Sequence, residues 1–196
     1  TAETLARAEL GGRDEFLSAA HDPRLLAAYG IPAENAEGYL FPETYTVARG
    51  LAPRAIVDLM LQQFVARLAS LSQGRELSPQ ELHRAVTLAS IVEREAKVAT
   101  ERHRIVGVFR NRLSRNMKLE SCATVQYFLG ERKERLLLDD VRTESPYNTY
   151  LHRGLPPGPI ASPGTAALTA AFAPEQHASS LLQEVSEPCE CSRLQP

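Results

Sequence analysis

Apolar residues recur at helical spacing through much of the first half of the chain. The first thirty residues show this spacing, with Asp22 as a cap, Pro23 in the first turn that follows and Gly30 at the end of the run. A longer helix is predicted to begin at Pro53, because apolar residues then recur every three or four positions as far as Leu68. This helix should bury one face.

The clearest start of a helix lies at Ser78. Ser78, Pro79 and Glu81 have the order of a capping box, with Ser78 as N-cap, proline in the first turn and Glu81 at the third position. The helix should run to about Ala96, and it is apolar nearly all the way round between residues 85 and 92, which predicts a central position. A further helix carries Ile105, Phe109 and Leu113 on one stripe.

Other segments favour extended structure. Residues 37–47 are aromatic and β-branched and are interrupted at Pro42, which predicts two short extended pieces with a bend. After Lys118 the helical pattern fades into short extended pieces and loops as far as Pro163, where Ser162 and Pro163 predict the cap and first turn of another helix. The expected fold class is therefore α+β, with a helical core and a small β element.

Composition limits the function classes without choosing one. The 196 residues are 43% hydrophobic, enough for a real core, and the net charge of -2 gives no overall attraction to nucleic acid or anionic lipid. Eight lysines and arginines between Arg94 and Lys118 predict a solvated helix face, or alternatively a basic wall for an anionic polymer. Three cysteines, Cys122, Cys189 and Cys191, do not form a disulfide framework or a zinc motif. No apolar run approaches the length of a membrane span.

Two carboxylates stand at the end of the apolar helix. A carboxyl group on an apolar surface is costly to ionise, and the raised pKa suits a general acid near neutral pH. Glu93 and Glu95 lie about 200° apart around a helix, so both cannot face one cleft. Periodicity does not choose between them, and a structural ion pair with an arginine is the alternative for either.

Six motifs, in order, resemble the YceG-like family of endolytic murein transglycosylases. They are EGYLFPETY (37–45), LASIVEREA (88–96), VFRNRL (108–113), MKLESCATV (117–125), SPYNTY (145–150) and GLPPGPIASPG (154–164). The resemblance covers about residues 37–173. It implies a lysozyme-like helical catalytic core and cleavage of the β-1,4 bond between N-acetylmuramic acid and N-acetylglucosamine in peptidoglycan glycan strands, leaving 1,6-anhydro ends.

The resemblance also implies roles for individual residues. Glu95 matches the catalytic position and would act first as acid and then as base, so that a single carboxyl suffices, whereas Glu93 would be a supporting carboxylate or the alternative acid. No metal or organic cofactor is implied. The expected substrate-binding residues, Glu93 included, are those that would border the cleft: Glu93, Thr124, Gln126, Tyr147, Asn148, Thr149, Tyr150, Pro157 and Gly158.

The resemblance divides the chain into three parts. Residues 1–36 would be a helical remnant of the preceding region, residues 37–175 the catalytic domain, and residues 176–196 an atypical tail. Expected partners are peptidoglycan strands, peptidoglycan synthases and no nucleic acid, with the domain outside the cytoplasmic membrane on an anchor that would precede this chain. Ala96 replaces the serine or threonine common in lysozyme-like transglycosylases, and Cys122 the aspartate of some family members.

Two other functions fit the same residues. A noncatalytic glycan-binding or scaffold module of the cell-wall elongation machinery would not need an acid. A hydrolytic muramidase would need a second carboxylate to activate water across the cleft, for which Glu43, Asp139 and Glu144 are candidates.

Overall fold

The computed structural model describes residues 2–7, 10–72, 76–130 and 133–173. The expectations for Cys189, Cys191 and the tail at 176–196 therefore lie outside the described residues. Within them the fold is built of helices: α1 Ala2–Arg7, α2 Arg13–Ala20, α3 Pro23–Ala28, α4 Pro53–Ser72, α5 Pro79–Glu95, a 3-10 turn Ala99–Glu101, α6 Arg102–Ser114, α7 Cys122–Leu129, α8 Leu138–Arg142 and α9 Thr165–Phe172.

The predicted caps of the first half are confirmed. The Asp22 side chain accepts hydrogen bonds from the backbone N–H groups of Arg24 (2.9 Å) and Leu25 (3.3 Å), with Pro23 in the first turn of α3. Gly30 follows α3 with a φ of 63°, a conformation that a residue without Cβ adopts easily. Helix α4 begins at Pro53 as predicted.

Helix α5 is the centre of the molecule. Its capping box is present: the Glu81 N–H donates to Ser78 Oγ (3.2 Å) and the Ser78 N–H donates to Glu81 Oε2 (2.9 Å). Its buried residues run from Leu82 to Val92, and α6, α7 and α9 pack around it. Because this helix is buried over most of its length, its last residue emerges among several neighbouring elements.

Two apolar clusters meet along α5. The first joins the N-terminal helices with α4, the first half of α5 and α9. The second joins the second half of α5 with α6 and with Leu119 and Ile160. Phe16 and Leu26 share the first cluster with Phe64 and Leu168, so helices α2 and α3 pack on the same core as the chain that follows.

The predicted β element does not appear in the described residues. Residues 37–47 form a turn followed by irregular chain, in which Tyr39 and Phe41 are buried against the core without a strand partner. The sole β contact in the described ranges is an isolated antiparallel bridge between Lys118 and Arg153. The fold is helix-rich, and the α+β expectation is not confirmed, because the aromatic and β-branched residues of this segment pack as side chains and do not build a ladder in the described residues.

Two boundaries in the second half also differ from the sequence prediction. Helices α7 and α8 occupy the region predicted to be extended pieces and loops. Helix α9 begins at Thr165 with Gly164 as N-cap, two residues after the predicted cap Ser162. Proline still precedes the helix, but it lies outside the first turn.

One described helix, α4, is long and apolar enough to cross a membrane by length and composition. The apolar pattern of the sequence alone predicts no such run. Helix α4 places Ile56, Leu61 and Phe64 in the core and packs against α2 and α9. A core helix of a folded domain has these properties too.

Candidate active site

The end of α5 meets the start of α7, and Glu95 lies at this junction. Glu95 is the last residue of α5, and Ser121 precedes α7. The Ser121 hydroxyl donates a short hydrogen bond to Glu95 Oε1, and the backbone N–H of Ala123 donates to the same oxygen at 3.2 Å. A single carboxyl oxygen thus joins the end of α5 to the start of α7, and Glu95 and Ser121 are 26 residues apart along the chain.

The carboxyl of Glu95 takes the place of an ordinary helix cap. A serine at N-cap usually accepts a hydrogen bond from the first turn of its own helix. Ser121 makes no such bond, because its hydroxyl is turned toward Glu95. The free N–H of Ala123 in the first turn of α7 bonds to Glu95 instead, so the positive end of the helix dipole faces the carboxyl.

Burial and hydrogen bonding act on the Glu95 pKa in opposite directions. The residue as a whole is partly exposed, but its carboxyl is surrounded by protein, and this burial raises the pKa. The hydrogen bonds from Ser121, Ala123 and Cys122 lower it. Burial prevails, and the pKa lies above the usual range of a glutamate. Glu95 therefore keeps its proton to a higher pH than an ordinary glutamate does, and its hydrogen bonds define its orientation when it loses that proton.

The raised pKa predicts a pH-dependent cost in stability. Below the unfolded pKa of about 4.3 the carboxyl is neutral in both states, and the cost develops as pH rises through the folded pKa. A Glu95→Gln variant should therefore have a higher Tm than the parent at pH 7, and the difference should shrink toward pH 4. Thermal unfolding at both pH values checks this. A lower Tm for the variant at pH 7 would contradict it.

Ser121 is itself fixed by two buried threonines. The Ser121 N–H donates to Thr149 Oγ1 (3.0 Å), and the Thr124 hydroxyl donates to the Ser121 carbonyl (2.7 Å). Because the Thr124 proton is used there, Thr149 donates in the 2.9 Å contact between the two hydroxyls. Both threonines are at most 2% exposed. The expectation that they contact substrate finds no support, and they hold the residue that holds Glu95.

Arg112 holds residues 118–120, which lead into Ser121. Its buried guanidinium donates to the carbonyls of Lys118 (3.4 Å) and Leu119 (2.9 Å) and to the Glu120 carboxylate (3.1 Å). Glu120 has a φ of 50°, and its N–H donates to the Thr149 carbonyl. Arg112 therefore fixes the irregular chain that leads into Ser121.

Glu93 faces another environment. Its Oε1 lies 3.6 Å from the Arg102 guanidinium, and its Oε2 accepts from the Gly164 N–H at 3.3 Å. These contacts tie α5 to α6 and to the start of α9. Glu93 thus forms an ion pair with an arginine, which was one of the two alternatives for either carboxylate. The hydrogen-bond partners of Glu95 described above carry no charge.

A cavity of about 320 Å³ lies at the junction of α5 and α7 that holds Glu95. Ala123, which bonds to Glu95, lines it together with Arg94, Gln126, Tyr127, Gly130, Ile160 and Ala161. A second cavity of about 660 Å³ is also lined by Ala161 and extends past Glu37 toward α2. The two cavities share Ala161 in their linings and therefore lie side by side.

A contact between Tyr127, which lines the smaller cavity, and Glu37, which lines the larger one, connects the two. The Tyr127 hydroxyl donates to Glu37 Oε2 at 2.6 Å, and the Tyr127 and Tyr147 rings are 4.8 Å apart. Burial, and then the nearby Glu37 charge, raises the pKa of Tyr147. Gly158 lies against the Tyr147 hydroxyl, where an added Cβ would come within 3.3 Å. Tyr147 and Gly158 thus lie beside Tyr127, which lines the smaller cavity, and their contact with substrate stays a prediction.

The other predicted substrate residues are committed to the protein. Asn148 is fully buried, and its amide bonds to the backbone of Val141, Thr143 and Tyr150. Its expected contact with an acetamido group is not supported.

Gln126, Tyr150 and Pro157 also use their polar groups internally. Gln126 lines the cavity, but both ends of its amide bond to the Lys133 backbone. The Tyr150 hydroxyl contacts the Cys122 sulfur at 3.0 Å. The exposed Pro157 accepts from His83 Nε2 at 2.8 Å.

Sequence reasoning missed Ser121, Tyr127 and Glu37. Ser121 and Glu37 stand in motifs that were recognised, but nothing local in the sequence pairs a serine with a glutamate 26 residues earlier. Two carboxylates proposed for a hydrolase are paired elsewhere: Glu43 with Arg67 and Gln63, and Glu144 with His152. Within the described ranges no three His, Cys, Asp or Glu side chains are grouped as metal ligands.

A carboxyl with a raised pKa, held between two helices near a cavity, is a group of the kind that can act as a general acid. Comparison with known proteins identifies the family. The model of the YceG-like family matches residues 1–181, and the chain belongs to this family.

Relatives and a solved structure agree with this assignment. The endolytic murein transglycosylase of Bacillus subtilis is 38% identical over 141 residues, covering 71% of this chain and 39% of that protein. The protein of the same name from Streptococcus pneumoniae is 36% identical over 140 residues, covering 67% and 25%. A 2.6 Å crystal structure of the YceG-like protein lmo1499 from Listeria monocytogenes matches with a TM-score of 0.79 and 31% identity, covering 92% of this chain and 64% of the other. The chain spans well under half the length of the Bacillus subtilis and Streptococcus pneumoniae proteins.

Proposed function

We propose that this chain carries the catalytic part of an endolytic lytic transglycosylase that acts on peptidoglycan. The observation that carries the proposal is the Glu95 carboxyl, whose pKa is raised by burial and whose position is fixed by Ser121 and Ala123 beside a cleft. The names of the similar proteins from two bacteria support the same reading.

One carboxyl is sufficient for this reaction. The bonds from Ser121 and Ala123 to Glu95 fall on Oε1, and in the neutral acid the proton would lie on Oε2. That proton passes to the glycosidic oxygen as the bond from this oxygen to C1 of N-acetylmuramic acid breaks. The carboxylate then takes the proton of the C6 hydroxyl while O6 bonds to C1. The products are a free N-acetylglucosamine end and a 1,6-anhydro end, and the acid is restored without water.

The hydrogen bonds to Oε1 serve the second half of this cycle. After proton transfer Glu95 is charged, and the Ser121 hydroxyl and the first N–H groups of α7 stabilise that charge. The same bonds hold the carboxyl in one orientation. Ser121 is thus a positioning residue for the acid, and Thr149 and Thr124 act through it.

The setting of the reaction is part of the proposal. Peptidoglycan lies outside the cytoplasmic membrane, so the catalytic domain would face the periplasm or the extracytoplasmic space. An N-terminal anchor would hold it there, and peptidoglycan synthases would supply nascent strands. A hydrolytic muramidase and a noncatalytic glycan-binding module remain the alternative functions that the test must separate.

Mass spectrometry of soluble fragments released from purified peptidoglycan tests the proposal. The parent chain should release fragments with 1,6-anhydro-muramic ends, and these should come from interior bonds, so that fragments of many lengths appear early. Reducing muramic ends would indicate a hydrolase. Binding of glycan without release of fragments, with a normally folded protein, would favour the binding module.

A Ser121→Ala variant should alter both the rate and its pH dependence. Loss of the hydroxyl removes a bond that lowers the Glu95 pKa, so the pKa rises and the alkaline limb of the pH–rate profile moves to higher pH. The maximal rate should fall by about tenfold or more, since hydrogen bonds to charged groups contribute about 1.5–3 kcal/mol. Ser114→Ala on the exposed end of α6 is the matched control. An unchanged profile for Ser121→Ala would show that the hydroxyl has a structural role only.

A further inference from the structure

Arg94 is a cation at the cleft with no partner recorded among the described residues. It lies in the last turn of α5, next to Glu95, is exposed, and lines the 320 Å³ cavity. Its neighbours in the basic run are used inside the protein. Arg102 pairs with Glu93, Arg110 donates to the Ala171 carbonyl, and Arg112 holds the chain before Ser121.

The other polar side chains that line this cavity are neutral and already make hydrogen bonds within the protein. The Gln126 amide is bound at both ends by the Lys133 backbone, and the Tyr127 hydroxyl donates to Glu37. Ala123, Ile160 and Ala161 contribute apolar surface. In the described lining, Arg94 is the side chain that carries a positive charge, and its guanidinium has several N–H donors that a ligand could use.

We propose that Arg94 binds a carboxylate of the glycan strand while the neighbouring bond lies at Glu95. Guanidinium and carboxylate fit each other in a two-point contact, which gives both attraction and orientation. The inference rests on the proposed function for the identity of the polymer. It adds that the cleft selects glycan by the acidic groups of its muramic residues.

Two sources can supply this carboxylate. A muramic residue without a peptide has a free lactyl carboxylate, whereas in a substituted residue that group is an amide and the peptide stem carries the carboxylates. Chains of N-acetylglucosamine have neither. Through this contact Arg94 favours binding of peptidoglycan over uncharged glycans with the same backbone chemistry.

Stabilisation of α5 is the competing role for Arg94. A cation in the last turn of a helix compensates the negative end of the helix dipole. Lysine would fill that role as well as arginine, and the effect would appear in Tm and not in glycan affinity. The two roles therefore predict different results for the same variants.

Binding is best measured in a Glu95→Gln background, where the strand is not consumed. The probes are strands without peptides, the same strands with their carboxylates converted to amides, strands with intact peptide stems, and N-acetylglucosamine oligomers. Adding Arg94→Gln should weaken binding of at least one carboxylate-bearing strand by about five- to tenfold, less than for a buried contact because the site is exposed. Arg94→Lys should restore part of that loss.

The chain offers a matched control on the same helix. Arg84 is also exposed, has no partner recorded in the described residues, and lines a separate cavity of about 420 Å³ formed with α6 and α9. Arg84→Gln removes the same charge and should leave glycan affinity unchanged. Amidated strands and N-acetylglucosamine oligomers should bind equally with and without Arg94.

The binding results decide the role of Arg94, and they do not depend on whether the chain cleaves the glycan. A loss with peptide-free strands identifies the lactyl carboxylate, and a loss restricted to peptide-bearing strands identifies the stem. Equal affinities of Arg94→Gln and its background for every carboxylate-bearing strand overturn the proposal. If the parent chain with intact Glu95 made no anhydro ends while the Arg94 effect persisted, the proposed reaction would fail and the carboxylate site would stand.

Discussion

Replacing Glu95 by glutamine is expected to lower the rate of glycan cleavage by about 10²- to 10⁴-fold, the usual contribution of general acid–base catalysis. Glutamine can still accept from Ser121 and Ala123 through its carbonyl oxygen, so the junction of α5 and α7 should persist. What is lost is the proton. Release of soluble fragments under initial-rate conditions measures the effect.

Glu93→Gln is the matched control for this variant. It makes the same change two residues earlier on the same helix, and it weakens the contacts to Arg102 and to the Gly164 N–H. Its rate should stay within several-fold of the parent, and its Tm should fall. Loss of activity in Glu93→Gln with retention in Glu95→Gln would reverse the two roles.

Replacing Gly38 by alanine is expected to destabilise the fold by about 3 kcal/mol or more. Gly38 has a φ of 86°, and an added Cβ would overlap the ring of Pro159 and lie 3.2 Å from Val86 Cγ1. At about 2–4 °C per kcal/mol, Tm should fall by about 6–12 °C. The contact also brings the 37–41 turn against the chain before Ile160, which lines the cleft.

Gly50→Ala separates the two causes of this loss. Gly50 has a similar φ of 80°, but nothing lies within 4 Å of an added Cβ. It should cost about 1 kcal/mol, from the backbone conformation alone. Equal Tm values for the two variants would mean that the approach of Pro159 to Gly38 is not tight.

The long helices could be predicted from sequence because their signals are local. The capping box at Ser78 and the apolar stretch that follows define α5 within its own residues, and the structure confirms both. Helix α7 gave no such signal. It has eight residues, several of them β-branched or aromatic, and its cap is supplied by Glu95 from elsewhere in the chain.

The absence of strands from residues 37–47 is also due to contacts with distant parts of the chain. Tyr39 and Phe41 favour strands in general, but a strand needs a partner, and here the rings are buried against helices. Tyr39 also bonds to His83 Nδ1 at 2.8 Å, and His83 Nε2 donates to the Pro157 carbonyl. Three distant segments are thus joined by contacts that no local pattern contains.

The candidate site was predicted in part for a similar reason. Family motifs brought the right segments together, but they did not tell which side chains face the cleft. Asn148, Thr149 and Thr124 stand in those motifs, and the structure places their polar groups inside the protein. The choice of Glu95 over Glu93 likewise rests on partners such as Ser121 and Arg102 that lie on other elements.

The most direct test of the account is cleavage of peptidoglycan in water enriched in heavy oxygen. If the C6 hydroxyl attacks C1 with Glu95 as acid and then base, the new muramic ends are anhydro ends and contain no oxygen from the solvent. Heavy oxygen at C1 of the new ends, in the parent chain and lost in Glu95→Gln, would show that water is the nucleophile and would contradict the single-carboxyl mechanism.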